Sequence, residues 1–377
     1  MGPDSEVPRP VDVPSLAFEN AALLPGLINT HTHLELTGFE DLIPAADFPA
    51  WIRRLRELKA TRDPEDYLTA ARQGLAACFA AGVTTVADTG DSGAVIRVLA
   101  EAEASGIAYQ EVFGPHPAQL DESLGDLKRR MQDLSKLATG RVRLGVSPHA
   151  PYTVSGPLFR AVASWSRTEH LPLAVHVAES RAESELLLAG AGPFADAWRG
   201  RGIPLPSPSG RSPIGWLAEH GVLSPLSLCI HAVQVGPGDI RRIADAGAAV
   251  AHCPLSNQAH GHGVAPLLKL LQAGIHVGLG TDSVASVGRL DLLAEARLAG
   301  RHASLDAERL LELCTLAGAR ALNLAAELGS LEPGKWADCT VIRLPLGDGT
   351  PSQRVLASSP RDVLRTYLGG REVFRAA

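Results

Sequence analysis

The chain has 377 residues, 45% of them apolar, and a formal net charge of −6 with its Lys and Arg dispersed. That length and apolar content suit one α/β barrel with additions, and the dispersed, mildly acidic balance argues against a nucleic-acid or anionic-membrane partner. Five cysteines (Cys78, Cys229, Cys253, Cys314, Cys339) stand without CxxC spacing, which fits reduced thiols in a cytoplasmic protein rather than a disulfide frame or a cysteine zinc site.

In chain order, "MGPDSEVPRPVDVPSLAFEN" is acidic and Pro-rich, with no basic region leading into an apolar one, so no signal peptide is expected. No apolar run reaches membrane-spanning length. Residues 1–24 read as irregular. Then a pattern repeats: a short β-rich apolar run ends in polar or titratable residues, and a longer Ala/Leu/Arg-rich stretch of helical period follows. The runs are "LLPGLINTHTH", "GVTTVADTG", "GIAYQEVFG", "VRLGVSPHAP", "LPLAVHVAES", "LSLCIHAVQV", "AAVAHCPLSN" and "IHVGLGTDS". Eight β-then-α units predict a closed (β/α)8 barrel over residues 25–328. The rival, an open doubly wound sheet, lacks a Gly-rich phosphate turn after the first strand. Residues 190–215, dense in Gly, Pro and Ser, read as a loop that either covers substrate or is mobile. Residues 329–377 read as strands of a small β-sandwich appendage, incomplete on its N-terminal side.

Catalytic groups of such a barrel sit at the carboxyl ends of its strands. His31 and His33 follow run one, His149 run four, and His176 with Glu179 run five; His231 lies in run six, His252 in run seven and Asp282 after run eight. Alternation sends residues i and i+2 to one face, so His31 and His33 share the barrel axis. With His176 and Asp282 they make a set of three nitrogens and one oxygen that suits a divalent zinc or iron ion with one position open. Such an ion brings the pKa of coordinated water down to roughly 7. Glu179, three residues past His176, is placed at the rim to shuttle protons, and His231 to hold the attacking hydroxide. No lysine lies between Lys136 and Lys269, so a lysine-bridged pair of metals is not expected and one ion per chain is. Asp88, ending run two, reads as a helix cap or a support for the ligands, and His252 as support or packing. A second histidine pair, His260 and His262, lies in a Gly-rich loop with no partner ligand following; it is a candidate for the pocket mouth and not for the metal.

These motifs resemble the amidohydrolase superfamily, in its mononuclear nucleoside deaminase branch. "PGLINTHTHLEL" is similar to the first-strand metal motif, "SPHAPYTVS" to the fourth-strand substrate motif, and "HVAES" to the His-x-x-Glu that joins a ligand to the proton shuttle. "IHAVQV", "AHCPLSN", "GLGTDS" and "GSLEPGKWADCTVI" resemble strands six to eight and the return into the small domain. The resemblance implies that His31, His33, His176 and Asp282 hold the metal, and that Glu179 protonates the ring nitrogen beside the amine-bearing carbon. It further implies that His231 orients the water, that Asp282 takes the water's proton, and that His149 contacts the purine. The implied substrate is a small adenosine-like nucleoside deaminated to its 6-oxo form. "HVAESRAESELLLAGAGPF" and the Pro-rich loop look most like enzymes acting on 6-amino-6-deoxyfutalosine in menaquinone synthesis. Deaminases of S-adenosylhomocysteine and methylthioadenosine share most of the motifs, and guanine deaminase or triazine hydrolysis uses the same water chemistry. A non-catalytic scaffold would have no need of Glu179. About 24 residues precede "PGLINTHTH", fewer than in the family, so the resemblance implies either a reduced sandwich or a truncated start. The His and carboxylate ligands suit zinc and iron alike, and the sequence is compatible with a homo-oligomer.

Overall fold

A computed structural model describes residues 15–43, 47–206 and 210–377 of the chain. Eight parallel strands form one sheet in sequence order: β2 (Leu27–Thr32), β3 (Val83–Gly90), β4 (Ser105–Val112), β5 (Val142–Pro148), β6 (Leu173–Val177), β7 (Ser227–His231), β8 (Ala249–His252) and β9 (Val277–Leu279). The chain past β9 returns to the first barrel strand, where Asp282 N–H donates to the His31 carbonyl at 3.0 Å beside a parallel Thr32–Asp282 bridge. The expected (β/α)8 barrel with an antiparallel appendage is the architecture observed.

Alternation along the strands builds two apolar layers. Ile28 of β2, Ile107 and Tyr109 of β4, Ala174 of β6, Leu228 and Ile230 of β7 and Ala249 and Ala251 of β8 form one buried cluster. Strands spread around the whole sheet can meet in this way only inside a closed barrel. Their neighbours Val142, Val146, Val175, Cys229, Val250 and Val277 join the larger cluster beneath the helices.

The N-terminal reading needs correction. Residues Ala21–Pro25 are a strand, β1, and pair antiparallel with β10 (Cys339–Arg343), from Ala21 opposite Arg343 to Pro25 opposite Cys339. Ala22 and Leu24 pack against the large core while Leu23 stays 48% exposed, so these residues carry a period of two that the proline-rich surroundings masked. Pro25 is tolerated because β1 lies at the edge of the sheet β1-β10-β11-β12, completed by β11 (Val363–Leu368) and β12 (Arg371–Arg375). Among the described residues the appendage is this single sheet of four strands, and residues 1–14 of the segment read as irregular lie outside the description. The first predicted run therefore splits at Gly26. A Cβ there would stand 2.1 Å from Thr84 Oγ1, so only glycine lets the chain pass from the small sheet into the barrel.

Two helices follow β2, and the first of them lines the open end of the barrel while the second packs on its outside against β3 and the small sheet. α1 (Phe48–Lys59) is capped by Asp47, whose carboxylate accepts from Ala50 N–H, and α2 (Pro64–Ala80) starts with a capping box of Asp63 and Asp66. The stretch 190–215 is not one loop: Gly192–Gly200 is helical, and a further helix, Pro213–Glu219, begins within it, while 207–209 lie outside the described residues. Trp198 fixes the first of these helices to the barrel rim by donating from Nε1 to the Tyr152 carbonyl at 2.9 Å.

Candidate metal centre and active site

The carboxyl ends of β2, β6 and β7 and the turn after β9 bring together His31, His33, His176, His231, Glu179 and Asp282, all lining or bordering one cavity of about 750 Å³. His31 Nε2 and His33 Nε2 each stand 3.5 Å from Asp282 Oδ1, and His176 Nε2 is 3.3 Å from His33 Nε2. His33 Nδ1 lies 2.7 Å from the Thr89 carbonyl and His176 Nδ1 3.1 Å from the His149 carbonyl. A carbonyl oxygen only accepts, so each Nδ1 carries the proton and each Nε2 turns a lone pair to the centre. Burial lowers the pKa of all three rings, His31 to about 4 against the opposing pull of the Asp282 carboxylate, and so keeps them neutral. Both ring nitrogens of His31 are buried without a hydrogen-bond partner among the described residues. Converging lone pairs and an orphaned buried imidazole are costly unless a cation completes them, so the residues fit a divalent ion. Asp282 remains ionised: burial opposes its charge, but His31 beside it outweighs burial. Ser256 donates to its Oδ2 at 2.5 Å.

Alternation alone would send His231 outward with Cys229. Its φ of 73° instead turns the chain, with Ala232 following at 47°, and the ring swings inside. Its Nε2 then lies 3.4 Å from Glu179 Oε1, and its Nδ1 3.0 Å from Asn257 Oδ1. Glu179 is buried between three groups, with His262 Nε2 at 3.3 Å on the same oxygen and the Tyr152 hydroxyl donating to Oε2 at 3.4 Å. Burial works against the Glu179 charge, but His231 and His262 outweigh it and hold the carboxyl at about 2. At neutral pH Glu179 is thus ionised.

His149 borders the cavity, its ring 4.7 Å from that of His176 and its Nδ1 2.8 Å from Thr153 Oγ1. Asp88 supports the metal motif from behind, its Oδ2 accepting from Leu34 N–H at 2.6 Å. His252 is buried with neither ring nitrogen hydrogen-bonded among the described residues. The second histidine pair reaches the site: His260 lines the cavity, and His262 packs edge-on against Phe48 of α1 at 4.5 Å as well as meeting Glu179. Packed against Phe48 are Tyr152 and Phe194, stacked at 4.3 Å, with Trp51 and Trp198 beside them on the cavity wall.

Several of these groups escaped the sequence reading. Lys59, Asp91 and Glu111 also line the cavity. Glu111 had a legible signal, since it continues the inward alternation of Ile107 and Tyr109 on β4. His262 was expected only at the pocket mouth; its contact with Glu179 left no signal in the sequence, because it depends on the path of an irregular loop.

The barrel, the donor set at its strand ends and the proton-accepting carboxylate define a metal-dependent hydrolase. A family model described as the amidohydrolase family matches residues 22–373, and the chain belongs to that family. An aminodeoxyfutalosine deaminase of Deinococcus radiodurans is 33% identical over 319 residues, covering 80% of this chain and 74% of the relative. A 5-methylthioadenosine/S-adenosylhomocysteine deaminase of Teredinibacter turnerae is 29% identical over 382 residues, 96% of this chain and 81% of the relative. Among solved structures, an adenosine deaminase from Xanthomonas campestris with bound zinc superposes with a TM-score of 0.81 at 24% identity, over 94% of this chain and 81% of that one. Among the described residues no helix is long and apolar enough to cross a membrane.

Proposed function

We propose that the protein hydrolyses the exocyclic amine of an adenosine-like nucleoside to the 6-oxo compound and ammonia, with 6-amino-6-deoxyfutalosine as the substrate. The observation that carries the reading is a buried carboxylate, Glu179, held by two imidazoles and a phenol beside the converging lone pairs of His31, His33 and His176. Hydrolysis of an amidine needs a proton removed from water and one delivered to the ring, and this arrangement does both. One divalent ion, zinc or iron, held by His31, His33, His176 and Asp282 would supply Lewis acidity that makes hydroxide available near neutral pH. Asp282, oriented by Ser256, takes the proton of the attacking water. His231, anchored through Nδ1 to Asn257, holds that water in place. Glu179, ionised at rest, carries the other proton of the water to the ring nitrogen next to the amine-bearing carbon, and the proton held by Asp282 passes to the amine, which leaves as ammonia. His149 contacts the purine from the β5 side.

The size and lining of the cavity support a nucleoside with a bulky aromatic 5′ group. About 750 Å³ is more than a purine nucleoside fills, and Phe48, Trp51, Tyr152, Phe194 and Trp198 offer aromatic faces to an aryl substituent. The named activities of the relatives in Deinococcus radiodurans and Teredinibacter turnerae support the same class, and S-adenosylhomocysteine or methylthioadenosine is the second reading. The five free cysteines suit a reducing, cytoplasmic setting. An ammonia-release assay over a panel of 5′-substituted adenosines, cytosine and guanine tests the reading. Release from the adenosines alone is expected, and release from guanine or cytosine alone would overturn it.

A further inference from the structure

β6 ends in a turn that departs from its own alternation. Ala174 faces the barrel interior while Val175 and Val177 face the helices, so position 178 should point inward and 179 outward. The structure has the reverse: Ala178 joins the outer core and Glu179 lines the cavity. The reversal comes from a φ of 51° at Ala178, a left-handed conformation that a residue with a Cβ keeps only where its surroundings hold it. Two groups do so. Glu183, fully buried on the helix Arg181–Ala189, accepts from Ala178 N–H at Oε1 and from Glu179 N–H at Oε2, both at 2.9 Å. Burial pushes its carboxyl up to about 8, so the grip works through two acceptor oxygens and not through charge. From the other side, the Ala178 carbonyl accepts from Val233 N–H at 2.9 Å and from Gln234 N–H at 2.7 Å. The Gln234 side chain then crosses to the histidine loop, donating from Nε2 to the His262 carbonyl at 2.5 Å. His262 Nε2 lies 3.3 Å from Glu179 Oε1, which closes a ring that starts and ends at Glu179.

We propose that Glu183 and Gln234 are positioning residues for the proton transfers of Glu179; the assignment rests on the deamination reading. Neither side chain lines the cavity, so each acts through another group. Glu183 fixes the direction in which Glu179 leaves the backbone, and Gln234 fixes where His262 meets its carboxylate. That carboxylate has to reach the attacking water and the ring nitrogen in turn, and a displacement of about 1 Å at such a group is enough to cost turnover. Local roles account for the two residues less well. Capping of the helix Arg181–Ala189 falls to Ser180, whose Oγ accepts from Glu183 N–H at 3.2 Å, and this leaves both Glu183 oxygens for residues 178 and 179. A glutamine serving only its own turn would bond within it, whereas Gln234 reaches a carbonyl 28 residues along the chain. His262 N–H donates in turn to the Asn257 carbonyl at 2.9 Å, so the residue that anchors His231 also steadies this loop.

The test is a double-mutant cycle on a 5′-substituted adenosine, with ammonia release giving kcat and KM separately. Gln234→Met keeps the length of the side chain and removes its donor, at a half-buried position where misfolding is not at issue. Glu183→Gln leaves one acceptor oxygen for two amides. In the wild-type background each should lower kcat roughly 10-fold with KM held within about 2-fold, since neither side chain touches substrate. In a Glu179→Gln background each should cost less than about 2-fold, because the group they position is already disabled. Gln234→Met carries the test alone if Glu183→Gln fails to fold. An unchanged kcat, a loss carried by KM, or equal losses in both backgrounds overturns the positioning role while leaving the deamination reading intact. If metal-loaded wild type releases no ammonia from any 5′-substituted adenosine, the nucleoside reading fails and the positioning role falls with it.

Discussion

Replacing Lys59 with Met would leave the aliphatic stem in place and remove the charge that links α1 to the turn after β3. The Lys59 side chain is 19% exposed and pairs with Glu35, 1% exposed, and with Asp91, 38% exposed. Breaking a buried pair from one side costs about 3–5 kcal/mol, because the other charge is left behind. Two features place Lys59→Met at the lower end. Glu35 keeps the Ser92 hydroxyl and amide as donors, and Asp91 is exposed enough to be solvated. A loss of about 3 kcal/mol, with an unfolding entropy of about 2.1 cal/mol/K per residue over a chain of this length, lowers Tm by about 4 °C. The pH dependence has a definite sign. Burial disfavours the Lys59 ammonium, but Glu35 and Asp91 outweigh it and raise its pKa. Its stabilisation is therefore complete below the unfolded lysine value of about 10.4 and declines as pH rises above that. Thermal melts should show a constant gap between wild type and variant from about pH 6 to about pH 9, and a narrowing gap above about pH 10.4. A variant melting within about 1 °C of wild type would refute the reasoning, since it would make Lys59 a solvated surface charge.

Glu179→Gln should retain metal while losing roughly 100- to 10,000-fold in kcat, because only proton transfer is removed; metal analysis beside steady-state kinetics checks both halves. Metal analysis of the wild-type protein should give close to one equivalent per chain. Chelation should abolish turnover and lower Tm, since an ion bound only by the folded state stabilises it by mass action. A thiol reagent should leave the native protein almost unmodified. Cys78, Cys229, Cys253 and Cys314 are buried, and burial pushes the Cys78 and Cys229 thiols up to about 12. At most the half-buried Cys339 should react before denaturant is added.

The barrel was legible because its signal is repetitive: eight apolar runs each end in polar residues, and helical stretches separate most of them. His31, His33, His176 and Asp282 were legible because strand position, not spacing alone, distinguishes "THTH" from "AHGH". What escaped depends on the path of the backbone between elements. β1 was hidden by the proline-rich sequence around it, although Ala22 and Leu24 face the core. His231 was placed correctly by strand order, yet only its positive φ turns the ring inward. The stretch 190–215 carries a helix that composition argued against, held by Trp198 and Phe194 against Tyr152. Glu111 alone among the missed cavity groups could have been found from alternation.

Hydrolytic deamination is tested most directly by turnover of a 5′-substituted adenosine in ¹⁸O-enriched water, with ammonia counted alongside the mass of the product. The account predicts one ammonia per product and one solvent oxygen at the carbon that lost the amine. Product whose new oxygen is not drawn from solvent, or metal-loaded protein that releases no ammonia from any 6-aminopurine nucleoside, would contradict it.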